Sequence, residues 1–469
     1  MKEKHSLENI IAPKTIAVVG ASRDPTKLGH VLLKRIIEGG YKGAIYPINP
    51  TAKEILGLQA YSSIQSLDGG VDLALIIVPN SQVPEVLEEC AAKGVKGAVI
   101  ITGGFAETGS KGAELQQKLR EVVSKTSLRV FGPNINGMVN ATVRLNANFD
   151  YYDTSGGSIS FVSQSGALGA AIVQWALPEG VGFNKFIAIG NRVDVDECEV
   201  LEYLAEDPDT KVILLYLESA ADGKRLLSTA KKVTRRKPIV GMKIGSTEAS
   251  GRATIAHTAS LAGVDEVYDA SFRQAGIIRV YGMEEMVDVG LALSLQPPAR
   301  GDRICVCTNT GGPGLIATET CERLGLKLPA MPEETSRELR EILPSIGSPR
   351  NPVDLTAMSD EKTHRTVIEI VLRNDSFDGV LVNALLVPLY DAEMISRVWL
   401  GHLKLARELG KPIVGSLIGA TLDGKDLNNY RVNLRRGGLP LYPTPERAAR
   451  CLKALVDYGL YLKKIGEMR

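Results

Sequence analysis

No charge of one sign dominates the chain: 55 Lys and Arg stand against 54 Asp and Glu, a net charge of +1 over 469 residues. Such a balance offers no broad field to attract a polyphosphate backbone, which disfavours a general nucleic-acid binder. Long hydrophobic runs are also missing. No apolar stretch approaches the roughly 20 residues that span a bilayer, and the charged start Met1-Lys2-Glu3-Lys4-His5 lacks the apolar region of a secretory signal. A soluble, cytoplasmic protein without membrane contact is expected. The six cysteines, Cys90, Cys198, Cys305, Cys307, Cys321 and Cys451, show no C-x-x-C spacing; buried free thiols in a reducing compartment fit better than a metal or redox site, and no metal ligands are assigned. Phosphate-binding signatures are incomplete as well. No G-x-x-x-x-G-K-[ST] loop occurs, and the dinucleotide fingerprint G-x-G-x-x-G fails at its second and third glycines.

Glycine, by contrast, is in surplus: 47 residues, about a tenth of the chain against roughly 7% in average proteins. Without a collagen period or low complexity, the excess points to many tight strand-to-helix turns. Short β-rich apolar runs alternate with helical patterns almost throughout, the signature of βαβ units and parallel sheets. The spacing predicts strands at 15–20, 43–48, 72–78, 97–101 and 129–131, with helices at about 29–39, 81–93 and 109–124. A stretch over 140–157, rich in Asn, Asp, Ser and Gly, reads as a connector. A second set of strands follows at 158–162, 186–189, 211–217, 238–243 and 277–280. Gln296-Pro297-Pro298-Ala299-Arg300-Gly301 reads as a linker, because adjacent prolines cannot continue a helix. Beyond it, strands at 303–307, 379–387, 412–418 and 441–442 and a helix at about 445–463 complete a third set. The expected fold is α/β, with three Rossmann-like or flavodoxin-like parallel-sheet domains at 1–140, 150–295 and 300–469. Length agrees, since roughly 150 residues per domain predicts about three.

Each set contains a strand that runs into a small-residue turn and a helix: Gly20-Ala21-Ser22, Ser163-Gln164-Ser165-Gly166 and Thr310-Gly311-Gly312-Pro313-Gly314. Such a turn presents unpaired N–H groups and the positive end of a helix dipole to an anion. In the first, Arg23 and Lys27 add cations, and Pro47-Ile48-Asn49-Pro50 offers no carboxylate for a ribose 2′-hydroxyl. A ligand with extra phosphate charge fits, whether the 3′-phosphorylated adenosine of coenzyme A or NADP. Further strand ends converge there: Val78, Pro79 and Ser81 after one strand, Ile101 and Thr102 after the next, and Asn134 beyond the last. In open parallel sheets, ligands bind outside the carboxyl ends of the strands.

Of five histidines, His5 is in the tail, and His30, His364 and His402 fall in helical patterns that suggest solvated or capping roles. His257 differs. It lies in a loop of small residues, Gly245 to Ser260, following a strand and lacking bulky apolar neighbours, and long loops of this kind are typically functional. A neutral imidazole can act as a nucleophile toward phosphorus when its other nitrogen is held. Glu218, delivered to a sheet edge by the apolar strand 211–217, either orients that imidazole or caps the helix that begins near Asp222. The basic run 231–237 sits at a helix C-terminus, where cations favour the dipole.

Ser163-Gln164-Ser165-Gly166-Ala167-Leu168-Gly169, then Phe186-Ile187-Ala188-Ile189-Gly190-Asn191, together with Ala256-His257-Thr258-Ala259, resemble the two signatures of the α subunit of succinyl-CoA synthetase. The fuller resemblance, across essentially the whole chain, is to α subunits of NDP-forming acyl-CoA synthetases of the ADP-forming acetyl-CoA synthetase type, which carry a third flavodoxin-like domain. Succinyl-CoA synthetases have Gly-His-Ala-Gly and Gly-Gly-Asp where this chain has Ala256 to Ala259 and Gly190-Asn191-Arg192, which disfavours succinate. The resemblance implies a reversible ligase reaction: acyl-CoA, phosphate and ADP give the free acid, CoA and ATP through an acyl phosphate and a phosphohistidine at His257. Coenzyme A would be held by Gly20, Ser22, Arg23, Lys27, Val78, Pro79, Ser81, Ile101, Thr102 and Asn134. Ser163, Gln164, Ser165 and Gly166 would stabilise phosphate and phosphohistidine, with Glu218 orienting the ring. It also implies an ATP-grasp β subunit in an α2β2 assembly, supplying the ADP/ATP site with its Mg2+, and a mobile histidine loop. A succinyl-CoA synthetase-like subunit, a CoA-binding regulatory protein without catalysis and an NADP-dependent oxidoreductase are the competing readings. The third domain is expected to serve structure and subunit contact.

Overall fold

The computed structural model describes residues 6–150, 156–247, 249–250, 264–386, 392–419 and 426–468. They form two compact units, one of Met1–Leu177 with Gly182–Tyr281, the other of Pro178–Val181 with Gly282–Arg469. The histidine loop around His257 lies outside the described residues.

In the first unit the apolar runs become two sheets. Strand Thr15–Val19 is flanked by Ala44–Ile48 on one side and by Leu73–Ile76, Gly97–Ile100 and Arg129–Phe131 on the other, all parallel. The chain leaves the central strand toward one edge and returns to the other. That reversal opens a crevice at the carboxyl ends of Thr15–Val19 and Leu73–Ile76. Helices Leu28–Glu38, Val83–Lys93 and Ser110–Lys125 match the sequence expectation to within two residues. The second sheet repeats the device. Strand Ile159–Ser163 lies between Phe183–Ala188 and Val212–Leu217, followed outward by Ile239–Lys243 and Ile278–Val280, again parallel. Val212 to Leu217 are all buried, as expected of a strand covered on both faces.

Part of the stretch expected as a connector is sheet: Asn140 and Leu145–Asn148 lie in strands. Gly137–Asn140 and Leu145–Asn148 form an antiparallel hairpin that extends the second sheet beyond Phe183–Ala188. Its asparagines are buried but partnered: the Asn140 amide donates to the Ile11 carbonyl at 2.9 Å, and Asn148 donates to Asn146. Composition misled here because a polar side chain that finds a partner inside costs little to bury.

In the second unit, Val353–Asp354, Ile304–Thr308, Gly379–Leu385, Ile413–Ile418 and Leu441–Tyr442 form one parallel sheet. The short strand Val353–Asp354 was not expected. The Pro-Pro segment is no free linker: Ala299 is fully buried and donates its N–H to the Leu455 carbonyl, while the Gln296 side chain bridges Gly438 O and Ile413 N. Prolines do end helix Met283–Leu295 there, but the extended chain that follows packs against helix Pro445–Lys464 within the same unit. His364 and His402, expected at solvated or capping positions, are also core residues at 3% and 4% exposure. The His402 ring nitrogens lie against two carbonyls, Val398 at 2.7 Å and Arg365 at 3.0 Å, one of which accepts the ring N–H. All six cysteines are free and buried, and burial pushes the Cys90, Cys198 and Cys321 thiols up to about 12. The Ser348 to Asp354 stretch has a structural task as well. Asn351 pairs with Val306 N, Ile304 O and Pro329 O, closing the backbone of the strand beside it.

Candidate functional site

The two switch points of the first unit open into one cavity of about 820 Å3. On one side stands the turn after Thr15–Val19. Gly20 has a φ of +96°, and a Cβ there would lie 2.5 Å from the Ile77 carbonyl; a Cβ on Gly29 would lie 2.0 Å from the Gly20 carbonyl. Helix Leu28–Glu38 therefore abuts the turn directly. That close helix–strand approach is the task of the last fingerprint glycine, so Gly29 performs it from a different position in the sequence. The turn is held from outside. Asn49 donates to Ala21 O at 2.8 Å, the His30 ring meets Ser22 O at 3.0 Å, and Ser22 Oγ accepts from Asp24 N at 3.1 Å. Asp24 in turn accepts from Thr26 N and Oγ1, bonds that hold its carboxyl below the usual range and shape the loop that carries Lys27.

Lys27 lines the cavity together with Gly20, Ser22, Val78, Pro79, Ile101, Thr102 and Asn134. Thr102 Oγ1 donates to Val78 O at 2.7 Å, and Asn134, with φ of +64°, donates its N–H to Thr102 O at 3.0 Å, so adjacent strand ends are tied together. Arg23 and Ser81 are exposed and are not among the lining residues. Asn191 anchors the neighbouring wall by donating to Glu107 at 2.6 Å and Gln116 at 2.9 Å. Burial alone would raise Glu107, but the bonds from Asn191, Phe105 and Gly104 outweigh it and hold the carboxyl low.

The opposite side is the start of helix Gly166–Ala176. Ser165 caps it, accepting from Leu168 N at 3.3 Å, and the first amides of a helix have no intrahelical partner. Ser165, Gly166 and Ala167 face the cavity, an arrangement suited to an anion. Ser163 does not reach it with its side chain: it is fully buried and donates to Ser165 O at 2.6 Å. Gln164 lines the cavity, yet its groups are committed elsewhere. Its N–H donates to Tyr216 O, and its Oε1 accepts from both Glu218 N at 2.9 Å and Ser219 N at 3.1 Å. Glu218 is 5% exposed and lines the same cavity. It does not cap the following helix, because Asp222 does, accepting from Lys224 N and Arg225 N. Burial, then the Glu218 charge, raises the Tyr216 phenol well above its ordinary value.

Sequence reasoning missed Asn136 and Asp150. Both line the cavity, and Asn136 donates to the Asp150 carboxylate, whose pKa is raised by burial in spite of that bond and of Arg35 nearby. Asn136 lies just two residues beyond Asn134, in a run whose turn composition ends before it. In the second unit, helix Gly311–Arg323 does begin at the Thr310 turn, with Thr308 Oγ1 donating to Thr310 O. Among the described residues no group of three or more His, Cys, Asp or Glu could hold a metal ion, and no helix is long and apolar enough to cross a membrane.

Comparison with known proteins matches a CoA binding domain at residues 14–141, a succinyl-CoA ligase like flavodoxin domain at 156–293 and a ligase-CoA domain at 304–445. The chain is 39% identical to the acetate–CoA ligase [ADP-forming] I subunit alpha of Pyrococcus furiosus over 98% of its own length and 99% of that protein. It is 39% identical to the acetate–CoA ligase [ADP-forming] of Methanocaldococcus jannaschii over 97% of its length, but covers 64% of that longer chain. A solved structure of Ca. Korarchaeum cryptofilum dinucleotide forming acetyl-coenzyme A synthetase 1, in complex with phosphate and ADP, superposes with a TM-score of 0.91 at 36% identity, covering 98% of this chain and 99% of the other.

Proposed function

The chain belongs to the α-subunit family of ADP-forming acetate–CoA ligases, and on that premise we propose that it carries the CoA and phosphoryl-transfer half of an ADP-forming acyl-CoA synthetase. The observation that carries the reading is the single cavity that brings the Gly20 turn, the start of helix Gly166–Ala176 and Glu218 together. CoA lies along the first wall, with Lys27 facing its phosphates and Val78, Pro79, Ile101 and Thr102 along the strand ends. Phosphate sits at the amides of Gly166 and Ala167. There it attacks the thioester carbonyl; the C–S bond breaks, the proton of the phosphate ends on the thiol, and an acyl phosphate results. His257 then takes the phosphoryl group as the P–O bond to the acyl oxygen breaks and the carboxylate leaves, with Glu218 holding the other ring nitrogen, and passes it to ADP to give ATP. Charge on the phosphoryl oxygens calls mainly for positioning and N–H donors, which a helix start supplies.

The nucleotide half is assigned to a partner subunit with an ATP-grasp fold, in an α2β2 assembly. Two observations support this: no G-x-x-x-x-G-K-[ST] loop occurs in the sequence, and a single-chain relative is longer by about the missing third. Mg2+ accompanies the nucleotide in that partner. The proposed domain roles follow the expected bounds: CoA binding in 1–140, phosphoryl transfer in 150–295 and a ligase–CoA domain of structural and subunit-contact role in 300–469.

The test is to mix the chain with its partner subunit, acetyl-CoA and labelled phosphate. Acid-labile, alkali-stable label is expected on this chain and is expected to vanish in His257→Ala. Label that survives the substitution would sink the reading.

A further inference from the structure

The segment Glu218 to Ala221, between strand Val212–Leu217 and helix Gly223–Val233, has an uncommon way of satisfying its backbone. Each of its four successive N–H groups is taken by a side chain. Gln164 Oε1 accepts from Glu218 N at 2.9 Å and Ser219 N at 3.1 Å; Tyr268 Oη accepts from Ala220 N at 2.9 Å; Glu197 Oε1 accepts from Ala221 N at 2.9 Å. Arg192 closes the ring from the carbonyl side. Its Nη1 donates to Ser219 O at 2.7 Å and to Glu197 Oε2 at 3.0 Å, and its Nη2 donates to Ser219 Oγ at 2.9 Å.

These partners come from four places: the phosphate turn, the turn after strand Phe183–Ala188, the start of helix Glu197–Glu206 and helix Asp265–Ala275. Their placement is costly. The Arg192–Glu197 pair is buried, with side chains 8% and 0% exposed, and a buried ion pair often stabilises less than an apolar pair of equal volume. Arg192 also adopts φ of +55°, a conformation that costs a non-glycine residue on the order of 1 kcal/mol. Ordinary loops satisfy such amides with water or a turn. Costs gathered around one short segment point to a need for that segment's position rather than for stability.

We propose that Gln164, Arg192, Glu197 and Tyr268 form a positioning cage that fixes the backbone of Glu218, and hence its carboxylate, relative to the phosphate turn. The proposal rests on the reading of Glu218 as the group that orients His257. Gln164 supplies the registration to the phosphate itself, because its neighbour Ser165 caps the helix whose first amides face the cavity. Tyr268 supplies a second registration. It stands in the first described helix after the part of the chain that holds His257, its ring packed edge-on to Phe272 at 6.2 Å and under the Lys243 ammonium at 4.7 Å. Lys243 ends the strand beside Val212–Leu217, paired with Leu217. Glu218 is thus referenced at once to the phosphate turn and to the exit of the histidine segment. A hydrogen-bonding error of 1 Å at a carboxylate that must meet an imidazole forfeits much of its effect.

The cage is tested in the reconstituted complex by the rate of phosphohistidine formation from acetyl-CoA and phosphate. Tyr268→Phe keeps the ring and removes the oxygen that accepts from Ala220; Arg192→Lys keeps the charge and removes the fork. Each is expected to slow labelling about tenfold while leaving KM for acetyl-CoA near that of the parent. The decisive arm repeats both in a Glu218→Gln background. Residues that act through Glu218 cost nothing further once it is disabled, whereas a general structural role lowers the rate by the same factor in both backgrounds. Labelling within twofold of the parent, or equal losses in the two backgrounds, overturns the cage. Failure of the parent complex to label would instead overturn the proposed function, so the two outcomes are distinct.

Discussion

At Lys27 and Arg23 the sequence offers two cations of equal promise, and the structure separates them: Lys27 lines the cavity and Arg23 does not. Lys27→Ala is therefore expected to weaken CoA binding about tenfold, and Arg23→Ala much less. If the ammonium meets the 3′-phosphate, the Lys27 penalty should shrink with dephospho-CoA, which calorimetry on the chain resolves; equal penalties for both ligands would place Lys27 on the pyrophosphate. Asp150 makes a different residue-level test. Its pKa is raised by burial, so the folded protein holds that proton to a higher pH than the unfolded chain. Stability then falls as pH rises through the raised value, and the charged form is a liability above it. Asp150→Asn, which can still pair with Asn136, should be more stable than the parent at pH 7, with the advantage fading as the pH falls through the carboxylate range. A Tm difference independent of pH would refute the assignment. Neither Asp150 nor Asn136 was legible in the sequence, because a polar residue in a crevice leaves no periodic mark, whereas Gly20, Ser165 and Glu218 stand at strand ends that the apolar runs announce.

The elements were legible where burial writes a pattern and obscure where polar groups satisfy one another. Central strands such as Thr15–Val19 and Val212–Leu217 read directly as apolar runs. The hairpin Gly137–Asn148 did not, since its buried asparagines resemble loop chemistry, and the Pro297-Pro298 segment resembled a linker although its neighbours Gln296 and Ala299 are buried. Helix Glu361–Arg373 shows the same failure with a measurable consequence. His364 occupies its buried face, and burial lowers its pKa to about 4, opposed only in part by Asp360. The unfolded chain, with an ordinary value near 6.5, binds this proton before the folded one does. The sign follows: stability is undiminished above pH 6.5 and falls as pH drops from there toward 4, by about 3 kcal/mol from this group. Acid unfolding followed by circular dichroism should show this loss, and His364→Leu should flatten it between pH 6.5 and 4. An unchanged acid limb would mean that the ring charges without leaving its pocket.

At the scale of the whole chain, near-zero net charge is compatible with a protein that handles phosphates because the positive potential is local. It resides in Lys27 at one wall of the cavity and in backbone amides at the other, and neither registers strongly in a count of 55 cations against 54 anions. Both walls belong to the first compact unit, so on the proposed reading CoA recognition requires nothing from a partner, and the nucleotide is assigned to the partner subunit. With no phosphate loop of the G-x-x-x-x-G-K-[ST] kind in the sequence, the isolated chain should bind CoA in calorimetry with the stoichiometry of one per chain, yet bind ADP too weakly to detect. It should form no ATP above background from acetyl-CoA, ADP and phosphate until the partner subunit is added. The Lys27→Ala loss in CoA affinity should then be the same with and without that partner, because the wall it belongs to is complete within this chain. ATP formation by the isolated chain would overturn this division of labour, and a Lys27→Ala effect that appears only in the complex would show that the partner builds part of the CoA site.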